Sequence, residues 1–213
     1  GAFYRYVNKK LSSRCGVGCL KRDDGSVTND PKEKAELLNE YFASVFTVDD
    51  GYCPVLPRRV ANGEGLSSVS FPHHVILKKL RNLKLGTAAG PDGFQAILLT
   101  KASDSLALPL AQLYEFLFSL SYVPAEWKLA TVTPIFKKGK SCDVGNYRPI
   151  SLTSLCCKVM ESVIKDDIVA YLFSKGLISR HQHGFLARRS TGTQLIDCLN
   201  DWTLNMEHKQ SLD

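Results

Sequence analysis

The sequence predicts an α+β protein, mostly helical, with a β-hairpin as its distinctive sheet element. Three observations carry that expectation. Apolar residues recur at helical spacing in one segment after another, at i, i+3, i+4 and i+7. The stretch 129–152 instead alternates between faces on both sides of a loop rich in Gly and Asn. The strands are too few for a complete sheet. At 213 residues, 44% hydrophobic and 23% charged, the chain is long enough to bury a core in one large domain, or one and a half. Two regions are expected: residues 1–70 as an N-terminal linker or extension with one amphipathic helix, and residues 71–213 as the main body.

In order along the chain, Phe3 to Leu11 reads as a short helix and Asp24-Gly25 as a turn. Asp30 is a good N-cap, Pro31 suits the first helical position, and Glu33 completes a capping-box pattern. The helix that follows carries Leu38, Tyr41, Phe42, Val45 and Phe46 and should end near Thr47. Residues 49–70 hold clusters of Gly, Pro, Ser and Asn and read as a long loop. A helix from Pro72 to Leu85 is stopped by Gly86, with His73 and His74 at its start. After the loop G-T-A-A-G-P-D-G-F (86–94), a helical stretch covers 95–102. A strong helix over 105–120 shows the stripe Leu106, Leu110, Leu113, Leu117 and Leu120, with Pro109 in its first turn. The hairpin comes next. Ser154 then caps a long helix striped by Leu155, Val159, Val163, Ile168 and Leu172 and ended by Gly176. The last helix takes Ser190 as its cap and carries Leu195, Leu199, Trp202 and Met206.

The formal net charge of +6 favours an anionic partner, which is a statement about association rather than fold. The seven cysteines are odd in number and scattered, which fits reduced thiols better than a disulfide framework. Cys15 and Cys19 lack a second Cys/His pair at zinc spacing. Cys156 and Cys157 fall on a helical pattern and are expected to pack as small apolar groups. No run is apolar enough to span a bilayer and no signal peptide opens the chain, so an intracellular, non-secreted protein with no membrane partner is expected.

Three segments carry chemistry. In strand 129–136, Leu129, Thr131, Thr133 and Ile135 face one side and Ala130, Val132, Pro134 and Phe136 the other. Pro134 removes a ladder donor, so the strand should be an edge or be bulged. Lys137, Lys138 and Lys140 crowd the tip. Lysines alone would be a solvated, edge-protecting tip. Arg148 on the returning strand shifts the balance toward phosphate binding, because its planar fork grips phosphate. The second segment is G-P-D-G-F, where glycines around Pro91-Asp92 make a tight turn with exposed backbone N–H groups ahead of a helix. The third is Q-H-G-F-L-A-R-R-S-T (182–191). Its aromatic, histidines and arginines suit single-stranded nucleic acid, where bases stack and phosphates meet arginine. The plainer alternative is a basic loop with Phe185 in the core.

Taken together and in order, W-K-x-A-x-V-x-P-I-F-K-K-G, N-Y-R-P-I-S-L, Q-H-G-F and R-S-T-x-x-Q-L resemble the fingers motifs of a reverse transcriptase. The match is best to non-LTR (LINE-like) retrotransposon enzymes of the jockey and chicken-repeat branches. G-P-D-G-F resembles the segment just upstream, and residues 6–46 resemble the linker that precedes the polymerase. The resemblance implies an RNA-directed DNA polymerase, a nucleotidyltransferase of a transposable element. Its partners would be an RNA template, a DNA primer and deoxynucleoside triphosphates, in a ribonucleoprotein of cytoplasm and nucleus. It implies that Lys137 and Arg148, assisted by Lys138, contact the incoming nucleotide. It implies that Asp92 and Gly93, with Gly184, Phe185, Arg188 and Arg189, lie along the template.

The family's magnesium-binding palm aspartates, in segments of the type D-x-S-K-A-F-D and Y-x-D-D, have no counterpart here. Asp213 precedes the first of them, and Asp166-Asp167 sit mid-helix. The expectation is therefore an incomplete right-hand polymerase: linker and fingers without complete palm or thumb. Magnesium would serve the complete enzyme, no metal-binding or catalytic residue lies in this chain, and the chain alone would be inactive. The alternatives are an RNA-binding module without catalysis and a non-functional relic of a transposable element.

Overall fold

The computed structural model describes residues 16–48, 50–53, 65–66 and 68–207. The helix expected at Phe3–Leu11, most of the 49–70 loop, Cys15 and Asp213 lie outside the described residues. The described residues form six helices and two antiparallel two-stranded sheets, an α+β protein. They fall into two compact units. One comprises the described parts of 1–55 and 71–161, the other those of 56–70 and 162–213.

The first unit opens with a small hairpin that the sequence reading did not foresee. Strands β1 (Leu20–Lys21) and β2 (Val27–Thr28) pair around a turn at Asp24-Gly25, where Gly25 has φ +88°. Two-residue strands are too short to show periodicity. Helix α1 (Pro31–Ser44) starts as expected, with the Asp30 carboxylate accepting from the Glu33 N–H at 2.9 Å. The reciprocal half of the capping box is replaced. The Asp30 N–H donates to Thr28 Oγ1 at 3.2 Å, and the Glu33 carboxylate is taken by the Arg22 fork and the Thr28 hydroxyl. A charge-assisted fork outcompetes a backbone N–H for a carboxylate. α1 also ends sooner than expected: Val45 is its C-cap, and Val45 and Phe46 are exposed.

Helix α2 (His73–Arg81) begins on Pro72 as expected and ends a turn early at Asn82. Helices α3 (Ala96–Lys101) and α4 (Ser103–Ser119) follow. α4 starts two residues sooner than expected, which moves Pro109 from the first turn to the second. Its buried face is Ser103, Ala107, Ala111, Tyr114 and Leu117, whereas Leu113 and Leu120 are exposed. Only Leu117 of the expected stripe is fully buried. Alanines let α2 approach closely, and α2 meets that face with fully buried Ile76 and Leu80. Phe71 packs its ring on Tyr114 and Phe118, with centroids 5.7 and 5.6 Å apart, and Tyr114 meets Trp127 at 6.0 Å. Tyr114 is buried and donates its hydroxyl to Cys156 O at 2.8 Å, while the Glu115 carboxylate accepts from the Phe71 N–H.

A 3-10 turn (Ala125–Lys128) leads to β3 (Thr131–Phe136), which pairs with β4 (Tyr147–Leu152). Ser154 then caps α5 (Leu155–Ser174), whose first turns bury Leu155, Cys157, Val159 and Met160. Cys157 packs as expected, and burial pushes its thiol up to about 11. Cys156 is half-buried and also shifted upward by burial.

In the second unit α5 runs on to a C-terminal turn in which Gly176 has φ +60° and Leu177 N bonds to Leu172 O. Ile168 is exposed, against expectation. Helix α6 (Thr191–Glu207) takes its cap from Ser190, whose Oγ accepts from the Thr193 N–H at 3.2 Å. Its stripe of Leu195, Leu199, Trp202 and Met206 has the expected period but stays exposed.

Candidate nucleic-acid interface

The cationic hairpin is a regular ribbon. Thr131 faces Leu152 and each step continues without a bulge to Phe136 opposite Tyr147. The Lys137 N–H donates to Asn146 O at 2.8 Å. Antiparallel ladders alternate bonded and non-bonded pairs. Counting back from Lys137–Asn146, the pair Pro134–Pro149 is therefore non-bonded. Both prolines place their missing N–H on the outer edges, where no ladder partner is lost. This explains how two prolines fit one short ribbon and why neither edge invites a third strand.

The same register sorts the two faces. Val132 and Pro134 line a cavity of about 400 Å³ with Val17, Leu38 and Phe42. Phe136 and Tyr147 follow on this face with rings edge to face at 5.6 Å, and Tyr147 is only 6% exposed. The other row, Thr131, Thr133 and Ile135 with Arg148 and Ile150, is exposed. Lys137 continues that row, and Arg148 stands opposite Ile135. Arg148 and Lys137 are thus diagonal neighbours on one face, with Cα atoms about 7–8 Å apart. Among the described residues neither has an ion-pair partner, nor do Lys138 and Lys140, and all four are exposed. Lys138 lies past the last bonded pair.

The tip is ordered by Asn146. Its side chain donates to Lys140 O at 3.0 Å, Asp143 N bonds to the same carbonyl, and Tyr147 Oη donates to Ser141 O at 2.6 Å. Gly139 has φ +93°, and a Cβ there would lie 2.7 Å from the Asn146 amide. Only glycine meets both demands.

The G-P-D-G loop sits at the far end of the same ribbon. A Cβ on Gly90 would fall 2.6 Å from Thr153 C and Ser154 N. Asp92 Oδ1 accepts from Phe94 N at 3.1 Å, and Gly93 N bonds to Gly90 O. The N–H groups of Gly93 and Phe94 are therefore used by the turn itself, which corrects the expectation that this loop presents them. Thr153 is five residues beyond Arg148, roughly 17 Å along an extended strand. Asp92 and Gly93 are not brought to the cationic tip.

In the second unit, Gly184, Phe185, Arg188 and Arg189 share the loop before α6. Phe185 is fully exposed and outside the core. Phe185 and Arg188 have φ +61° and +62°, a left-handed conformation rare for non-glycine residues. Arg189 differs from its neighbours. Its guanidinium donates to Arg180 O and Gln182 O and so holds the loop together. Sequence reasoning missed the anchor of this loop, His183. The ring is 7% exposed, with Nδ1 2.9 Å from Thr193 Oγ1 and Nε2 3.0 Å from Asp197 Oδ2. The Thr193 hydroxyl also bonds to Ser190 O at 2.8 Å, which ties His183 to the start of the helix. No local pattern signals this, since the partners lie on the next helix.

Among the described residues, no group of three or more His, Cys, Asp or Glu side chains stands close enough to hold a metal ion. Asp166 and Asp167 are consecutive on α5, and Asp166 pairs with Lys165 at 3.0 Å. No helix among the described residues is long and apolar enough to cross a membrane.

The first unit thus carries an exposed cationic row on a proline-edged ribbon, and the second a loop with an exposed aromatic and an exposed arginine. No protein-family model matches the chain. Over 216 residues it is 30% identical to the RNA-directed DNA polymerase from mobile element jockey of Drosophila melanogaster, covering 98% of this chain and 24% of that protein. Over 89 residues it is 36% identical to the probable RNA-directed DNA polymerase from transposon X-element of the same organism, 41% of this chain and 10% of that protein. The corresponding polymerase from transposon BS, also from Drosophila melanogaster, is 29% identical over 121 residues, 56% of this chain. Over nearly its whole length the chain is thus similar to a part of the RNA-directed DNA polymerases of non-LTR retrotransposons. It spans about a quarter of the length of the jockey relative.

Proposed function

We propose that this chain supplies the linker and fingers of such a polymerase, with residues 71–213 holding the incoming deoxynucleoside triphosphate and the RNA template ahead of a palm and thumb. The supporting observation is the placement of Lys137 and Arg148 on one exposed row of the hairpin. Two long cationic side chains with neighbouring origins can share one phosphate tail, and Lys138 adds charge beside them. Each charge-assisted contact is worth roughly 1.5–3 kcal/mol. Arg148→Ala in the complete enzyme should therefore raise the nucleotide KM about tenfold or more. An unchanged kcat/KM would remove Arg148 from the site.

For the template, the support is the exposed Phe185 ring on strained backbone with Arg188 beside it. Gly184 accepts from the Gln182 side-chain amide at 3.0 Å in the same loop, and Arg189 braces it. Asp92 and Gly93 shape a second template-side turn. Magnesium is the cofactor of the complete enzyme in this reading. The isolated chain should incorporate no labelled nucleotide on a primed RNA template, with or without magnesium. Incorporation would refute this part.

The second reading, RNA binding without chemistry, is favoured by the same exposed Phe185. It predicts that the isolated chain binds single-stranded RNA with an affinity that falls as salt rises.

A further inference from the structure

We infer that β1, β2 and α1 are a positioning element for the cationic hairpin, acting through Tyr147. This rests on the nucleotide reading above and adds a part to it. A two-stranded ribbon is marginal by itself in water, so whatever packs on it sets where its tip lies. Most of this ribbon is exposed, and Tyr147 is its buried residue. The N-terminal segment packs there, tied to the ribbon in three ways. Lys21 N donates to Cys142 O at 2.8 Å, joining β1 to the tip loop. Leu20, Leu38, Phe42 and Tyr147 form one buried cluster, with Leu37, Tyr41 and Val144 packed on it. A Cβ on Gly145 would touch the Tyr41 hydroxyl at 3.4 Å.

All three ties fall between Lys140 and Arg148. Tyr147 is where they meet. Its ring is in the cluster and against Phe136, and its hydroxyl holds Ser141 O at 2.6 Å. The next residue is Arg148, whose side chain leaves by the opposite face. A shift of the Tyr147 ring therefore moves the Arg148 backbone with it. The N-terminal segment has its own brace, the Arg22–Glu33–Thr28 network, so it is a stiff support.

The test is titration of the 213-residue chain with a deoxynucleoside triphosphate bearing a fluorescent ribose label, alongside thermal unfolding. Tyr147→Phe keeps the ring and removes the bond to Ser141. It should weaken binding about three- to tenfold. In an Arg148→Ala background the same change should add much less, because Tyr147 acts through that arginine. If Arg148→Ala weakens binding and Tyr147→Phe does not, the positioning role is overturned and the nucleotide site stands. Equal losses in both backgrounds also overturn it. If the unaltered chain does not bind, or Arg148→Ala changes nothing, the nucleotide reading falls and this inference with it.

Discussion

Glu33 is the residue at which the N-terminal hairpin and α1 are joined. The Arg22 fork, then the Thr28 hydroxyl, hold its carboxyl down to about 2, below the usual carboxylate range. A carboxylate with a lowered folded pKa stabilises the fold above its ordinary pKa, and that contribution is lost as pH falls through the lowered value. The unfolding temperature should therefore decline between about pH 4.5 and pH 2, and Glu33→Gln should flatten that part of the profile. A parallel profile for the variant would mean the network contributes nothing. Gly90 is a second residue with a definite demand. Ala there drives a methyl into the Thr153–Ser154 backbone and should cost about 1–3 kcal/mol in urea unfolding, by analogy with overpacking. Asp30 and Pro31 were legible as a helix start because caps are local. The Arg22–Glu33 pairing was not, since eleven residues and a turn separate the partners.

At the scale of elements, α4 shows what periodicity leaves open. Its leucines and its alanines both repeat at helical spacing, and the sequence favours the leucine face on hydrophobicity. The helix instead turns its alanines toward α2, because close approach of two helices needs small residues at the crossing. Ala107→Leu should cost about 1–3 kcal/mol, and Leu113→Ala, on an exposed position, much less; urea unfolding of both variants tells the faces apart. The loop before α6 makes the opposite bargain. Phe185 is held left-handed, which costs an L-residue about 1–2 kcal/mol, and its ring packs on nothing in the core. Phe185→Gly should leave the unfolding temperature unchanged or raised and weaken binding of single-stranded RNA. A loss of stability with RNA binding intact would show the ring to be structural.

For the molecule as a whole, a net charge of +6 says only that a polyanion is welcome. Binding of single-stranded RNA should show a log–log salt slope near −0.7 per phosphate contacted. Substituting Arg188 should reduce that slope by one contact, whereas Arg189, already bonded to two carbonyls, should act through loop stability instead. The motif series identified the family because several short patterns occur in one order, a coincidence far rarer than any single pattern. The hairpin, its proline edge and the helix caps were equally plain, since each is governed by neighbours in the chain. The sequence alone thus determined the kind of elements present and the family they resemble. The tertiary structure decided which face each element buries, that the N-terminal segment supports the hairpin, and that Asp92 and the cations lie at opposite ends of one ribbon. Burial depends on which surfaces meet, and those partners are distant in the chain, so no local pattern of residues encodes the choice.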